Sequence, residues 1–267
     1  MKTLKDVVEH YETNYDEDSR LSKDGLGQLE LLRTQVLLKR YLPKPQASIL
    51  DVGGGPGVYS YWLTAAGYNV ELIDIVPRHI DQAAQRGITA RVGDARKLPV
   101  ASHVFDAVLM LGPLYHLPKR KHRLAAISEA VRAAKPGAPI FAAAISRYAP
   151  AIDGLASGFW DDPAFAEVVV DDLEHGKHYN PTGDPKYFTT AFFHRPEDLH
   201  DDLTDAGLVD VEILPIEGIA WSAADLDERM TREKTQDALL DLLQRLENEP
   251  SLLGASPHLL GIGYAPS

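Results

Sequence analysis

Between residues 48 and 147, short apolar runs alternate with segments of helical period. The runs are SILDVG (48–53), VELIDI (70–75), ITARVGD (88–94), FDAVLML (105–111) and PIFAAAISR (139–147). Apolar stretches this short and continuous, polar only at their C-terminal ends, mark strands buried on both faces. Helices between them make the sheet parallel. The expected fold class is therefore α/β, a doubly wound and mostly parallel sheet with helices on both sides. In such sheets ligands sit outside the carboxyl ends of the strands, so those ends are where function is sought.

The first strand runs into ILDVGGGPGVYS (49–60), with Gly53, Gly55 and Gly57 at a spacing of two. Glycine costs stability in a folded turn unless a tight bend or a close backbone approach requires it. A dinucleotide fingerprint would need glycine at 58, where this chain has Val58. Asp51 stands two residues before the first glycine; its charge repels a pyrophosphate and attracts an ammonium group. The next two strands also end in carboxylates, Asp74 and Asp94. An aspartate after the second strand can take both hydroxyls of a ribose. One after the third can accept from an exocyclic adenine amine, because an ionised carboxylate only accepts. Three such residues at successive strand ends beside a glycine turn point to an adenosine-bearing, cationic ligand.

Composition narrows the partners. The 267 residues carry a net charge of −12 and no cysteine. Disulfides, thiolate nucleophiles and cysteine-ligated metals are excluded, and no metal site is expected. No apolar run is long enough to cross a membrane. The acidic start, MKTLKDVVEHYETNYDEDSR, lacks the apolar core of a signal peptide, so no membrane partner and a cytoplasmic location are expected. An acidic surface repels nucleic acid, and the basic PKRKHR (118–123) reads as a solvated helix start. A small molecule is the expected partner. The chain divides into an N-terminal helical cap (1–42), a core (43–148), a lid insertion (149–195) and a C-terminal return to the core (196–267). Amphipathic stretches are expected at 3–16 and 27–41, and 149–190 is read as irregular. Regular structure returns with a helix at 196–206, a strand at 208–216, a long helix at 223–247 and a last strand in HLLGIGYA.

These motifs resemble class I S-adenosylmethionine-dependent methyltransferases. DVGGGPG is similar to that family's first motif, Asp74 to the acidic residue of its second, and Asp94 with Ala95 to the adenine contact of its third. LMLGPLYHL (109–117) resembles the strand-four motif. The resemblance, which covers roughly 45–215, implies a Rossmann-like sheet of seven strands with the last antiparallel, and S-adenosylmethionine as cofactor. It implies that the glycine turn lies under the methionyl part with Asp51 near its ammonium. Asp74 would hold the ribose, Ile75 would pack on adenine, Asp94 would read its amine, and Leu111 and Gly112 would pass beneath the sulfonium. Tyr11 and Arg20 complete the expected cofactor contacts, Arg20 toward the carboxylate.

Methyl transfer from a sulfonium is an in-line displacement governed by proximity and alignment. Tyr115 and His116 follow the fourth strand, where the family's substrate-facing residues stand. Tyr15, Arg147, Tyr148, His178, Tyr179 and His194 are further candidates from the cap, the end of strand five and the insert. GPLYHL, ISRY and FFHRPEDL together resemble a small-molecule subgroup with actinobacterial indole C3-methyltransferases among its members. An indole carbon attacks without prior deprotonation, and a Tyr–His pair would then take the N–H proton. O- or N-methylation of another metabolite is the alternative. A nicotinamide-dependent oxidoreductase and a non-catalytic cofactor-binding regulator are the readings from other classes.

Overall fold

All five apolar runs become strands, and the segments between them build helices on both sides of one sheet, except 93–106, which joins the third strand to the fourth without one. The computed structural model describes residues 4–180 and 188–267. The chain opens with α1 (Leu4–Glu9), which continues into a wider turn over His10–Asn14, then α2 (Glu17–Arg20) and α3 (Gly25–Tyr41). The core follows as β1 (Ser48–Val52), α4 (Val58–Ala65), β2 (Asn69–Asp74), α5 (Pro77–Gln85), β3 (Thr89–Val92), β4 (Ala107–Met110), α6 (Arg120–Ala133) and β5 (Pro139–Ile145). After it come α7 (Ala149–Ala156), α8 (Pro163–His175) and a two-residue ladder of β6 (Lys177–His178) with β7 (Ala191–Phe192). The chain then adds α9 (Pro196–Asp205), β8 (Val209–Pro215), α10 (Leu226–Met230), α11 (Glu233–Leu246) and β9 (His258–Tyr264).

The sheet has seven strands in the order β3-β2-β1-β4-β5-β9-β8, and only β9 runs against its neighbours. Side chains alternate across the pleat, and both faces are dry. Leu50, Val108, Met110, Ile140 and Ala142 join Ala126, Ile127 and Ala130 of α6 and Leu199 and Leu203 of α9. Ile49, Leu109, Phe141 and Ala143 join Leu37 and Leu38 of α3 and Leu63 of α4. Burying each of these large side chains contributes about 1.5–3 kcal/mol. Double burial is why the central strands read as continuous apolar runs; against expectation β3, at the sheet edge, is largely exposed, Val92 included.

Two expectations change. Residues 149–175 are not irregular: α7 and α8 bury Phe165 and Val169 against Ala151, Phe159, Trp160 and Leu173. Gly158, at φ 72°, separates them, and Asp162 caps α8 by accepting from Ala164 N at 3.0 Å. Two short helices with a break leave no window long enough to show a period. Part of the expected lid, 181–187, lies outside the described residues. The helix expected at 223–247 is two, because α10 turns inward to pack Leu226 and Met230 on Leu29 of α3.

The N-terminal cap is docked by polar contacts. Arg20 forms a fork on Glu30 (2.5 and 2.9 Å) and donates to Glu17 at 2.8 Å. Arg86 pairs with Asp18, and Arg78 N donates to Glu12 at 3.1 Å. His258, at the start of β9, hydrogen-bonds Glu217 at 2.6 Å and lies 3.8 Å from Glu30. Burial alone would lower the His258 pKa, but the Glu217 and Glu30 carboxylates override it and hold it at about 9.

Candidate cofactor and acceptor site

β1 lies between β2 and β4, where successive crossovers reverse direction and a doubly wound sheet opens a crevice at its strand ends. A cavity fills that crevice, with about 980 Å³ of atom-free space including its mouth. Its floor is the turn after β1, its walls are the residues following β2, β3 and β4, and its roof is Val7, Tyr11, Glu17, Arg20 and Leu21 of the cap.

The three spaced glycines are required for different reasons. A Cβ on Gly57 would stand 2.6 Å from Ile88 Cδ1, and one on Gly53 would stand 2.9 Å from Pro113 Cδ. Those two serve packing. Gly55, at φ 57°, would place a Cβ no nearer than 3.5 Å to any protein atom, at Glu17 Cγ. A side chain there would stand in the cavity, so its absence keeps the backbone open to a ligand.

Asp51 is almost fully buried; Ser60 Oγ donates to Oδ2 at 2.7 Å, and Oδ1 has no partner. Burial raises its pKa to about 6, with Asp74 adding to the shift and the Ser60 bond opposing it. A buried, unpartnered carboxylate oxygen in a cavity wall is a strong acceptor for an ammonium or a water bound to one. Asp74 braces the turn: it accepts from Gly55 N at 2.9 Å and Val76 N at 2.8 Å, with His79 Nδ1 at 3.3 Å. Val76 N and His79 Nδ1 both meet Oδ1, whereas Oδ2 takes only Gly55 N and keeps a second lone pair for a hydroxyl. Asp94 lines the cavity, yet Arg96 holds its carboxylate through its backbone N (2.9 Å), Nε (3.0 Å) and Nη2 (2.6 Å). An adenine amine would share those oxygens with Arg96. Arg20 also lines the cavity, with three of its five N–H groups committed to Glu17 and Glu30. Ile75, Ala95, Leu111 and Gly112 complete the wall.

The loop after β4 approaches the glycine turn closely; a Cβ on Gly112 would lie 3.0 Å from Gly53 O and 3.7 Å from Tyr115 Oη. Tyr115 and His116 both line the cavity. Tyr11 Oη and His116 Nε2 are 2.9 Å apart, across 105 residues of sequence, and His116 Nδ1 is buried without a partner. Burial, reinforced by His10 and opposed by Asp74, lowers the His116 pKa to about 3, so the ring is neutral. When Nε2–H donates to Tyr11, Nδ1 presents a free lone pair. Burial pushes the Tyr11 and Tyr115 hydroxyls well above the ordinary phenol range, so both stay protonated.

The remaining candidates stand apart from the cavity lining. Tyr15 packs with Val7 and Ile75 behind Tyr11. Buried His178 bonds Asp172 Oδ2 through Nδ1 at 2.8 Å, and Tyr179 is exposed. His194 is fully buried beside Asp202 at 3.4 Å, within a cluster that includes Arg123. Arg147 bonds Asp198 at 2.6 Å, and Tyr148 is partly exposed near Gly254. Sequence reasoning passed over Glu17, His79 and Phe188. Only His79, one helical turn past the Asp74 strand end, carried a local signal.

Residues 49–137 match the family model described as a methyltransferase domain. The probable tRNA methyltransferase 9B of Homo sapiens is 31% identical over 99 residues, 35% of this chain and 20% of that protein. The ubiquinone/menaquinone biosynthesis C-methyltransferase of Acidiphilium cryptum is 34% identical over 114 residues, 39% of this chain and 45% of that one. The chain thus spans less than half the length of these curated relatives. A solved structure of a SAM-dependent methyltransferase from Methanosarcina mazei superposes with a TM-score of 0.57 over 86% of this chain and 97% of its own, at 20% identity. That likeness concerns the fold, which is the class I methyltransferase fold. The match to a methyltransferase domain over residues 49–137, together with the class I fold, points to S-adenosylmethionine as the cofactor of this site. The residues fit that group: Gly55 leaves a cradle that a Cβ would fill, and Asp51 Oδ1 is an orphaned acceptor beside it.

Proposed function

We propose that the chain methylates a small molecule, and that the acceptor atom is an electron-rich ring carbon such as C3 of an indole. The observation carrying this is the neutral, buried His116 with its free Nδ1 in the cavity lining. S-Adenosylmethionine, when bound, supplies an electrophilic methyl group on a sulfonium. Asp51 and the backbone of Gly53–Gly55 would hold its amino-acid part, Asp74 the ribose, Ile75 and Asp94 the adenine. Leu111 and Gly112 would form the wall beneath the sulfonium. Tyr115 and His116 would orient the acceptor in line with the methyl, which supplies most of the rate. A base as weak as buried His116 suits an acceptor that becomes acidic only after attack. An indole does so, since its N–H is shed once the ring carbon has formed its new bond. An alcohol, which must lose its proton first, would need a stronger base.

The net charge of −12 supports a small acceptor over a nucleic acid, although one relative is named a probable tRNA methyltransferase. Calorimetry should give micromolar-range S-adenosylmethionine binding and none with NAD or tRNA. Methylation of 3-substituted indoles with ¹³C-methyl cofactor, read by NMR, should label a ring carbon. Label on oxygen or exocyclic nitrogen would overturn the acceptor assignment, and tight NAD binding the cofactor assignment.

A further inference from the structure

Phe188 lies in the insert at φ 65°, a left-handed conformation that a bulky side chain rarely adopts. Its surroundings hold it there. Asn180 Nδ2 donates to its carbonyl at 3.0 Å, and its ring lies 6.4 Å from Phe193 and 6.2 Å from His178, which Asp172 anchors. On the cavity side it stacks on His116, with centroids 6.1 Å apart and planes 27° from parallel. His10 meets the same ring edge-on at 6.5 Å, and its Nε2, like His116 Nδ1, is buried without a partner.

Two near-parallel rings, with the unpartnered Nε2 of the edge-on His10 beside them, make a seat for a flat, unsaturated molecule carrying one polar N–H or O–H. We propose that Phe188 is the specificity-determining residue for the acceptor, its ring forming with His116 a slot that selects planar aromatic molecules. This rests on the proposed function and names its substrate class. A guest between two rings needs two contacts of about 3.5 Å, or about 7 Å in all. With the centroids 6.1 Å apart, Phe188 must therefore yield by roughly 1 Å. The adjoining His178–Asp172 pair then acts as the backing of the slot, which is a positioning role.

The test uses the full chain saturated with S-adenosylhomocysteine and 5-fluoroindole as probe, its binding read by ¹⁹F NMR, with the puckered, saturated cyclohexanol as the non-planar control. The wild type should bind 5-fluoroindole and not cyclohexanol. Phe188→Trp should retain the probe, while Phe188→Leu and Phe188→Ala should each weaken it at least tenfold. S-Adenosylhomocysteine affinity should stay within about twofold in all three. Equal probe binding by Phe188→Ala and wild type would overturn the proposal, as would no probe binding by the wild type or comparable cyclohexanol binding. Failure of the cofactor itself to bind would instead sink the methyltransferase reading, so the two failures are distinguishable.

Discussion

Gly55 and Asp74 are one device, because the amide of the first donates to the carboxylate of the second. Gly55→Val should abolish S-adenosylmethionine binding by filling the cradle. Asp74→Ala should weaken it by about ten- to a hundredfold per lost charge-assisted bond. Calorimetry on both variants checks this, and unchanged binding by Asp74→Ala would remove the ribose assignment. Asp51 gives a pH dependence with a definite sign. Its pKa rises from 3.8 toward about 6 on folding, so between those values the folded state holds more protons than the unfolded one. Its contribution therefore lowers stability as pH climbs through that window, and is flat above. Cofactor binding has the opposite preference, since an ammonium needs the ionised carboxylate. Affinity should fall as pH drops below about 6, and Asp51→Asn should flatten that profile. At the reacting end, His116→Ala should cost on the order of 10²–10⁴ in single-turnover rate if it takes the acceptor proton. Cofactor affinity should hardly move. A variant methylating at the wild-type rate would shift the chemistry away from this turn.

The docking of α2 and α3 onto the sheet rests on buried charges contributed by separate elements. His258 is held protonated by Glu217 and Glu30, its pKa raised from 6.5 to about 9. Stability from this group is full below pH 6.5 and disappears as pH rises through about 9. Melting temperature should accordingly fall over that range, and Glu217→Gln should shrink the fall; an unchanged slope in the variant would show that His258 is not the titrating group. Hydrogen exchange should find α7 and α8 equally protected with and without ligands, since they own a packed cluster. Any ligand-induced change in the insert should lie beyond Gly176. These elements also show where sequence reading stops. Asp51, Asp74 and Asp94 could be found because each ends an apolar run, and strand ends are local patterns. Tyr11 facing His116, Arg20 clamped by Glu30, and Phe188 stacked on His116 arise from chain separations of 105, 10 and 72 residues (188 − 116 = 72). No periodicity records such meetings. His178 and His194 looked chemically apt, but each is buried beside a carboxylate, Asp172 and Asp202, and neither lines the cavity.

For the molecule as a whole, the sheet supplies the floor of the site and the cap its ceiling. Val7, Tyr11, Glu17, Arg20 and Leu21 close the cavity from above, while Arg20, Arg78 and Arg86 tie that ceiling to α3, α5 and the glycine turn. The Arg20–Glu30 fork is the tie whose opening would pace the exchange of spent cofactor for fresh, a clock rather than an affinity. Glu30→Gln should shorten the residence time of S-adenosylhomocysteine, measured by stopped-flow displacement, while the first turnover keeps its rate. In an enzyme limited by product departure, that loosened variant would run faster at steady state than its parent.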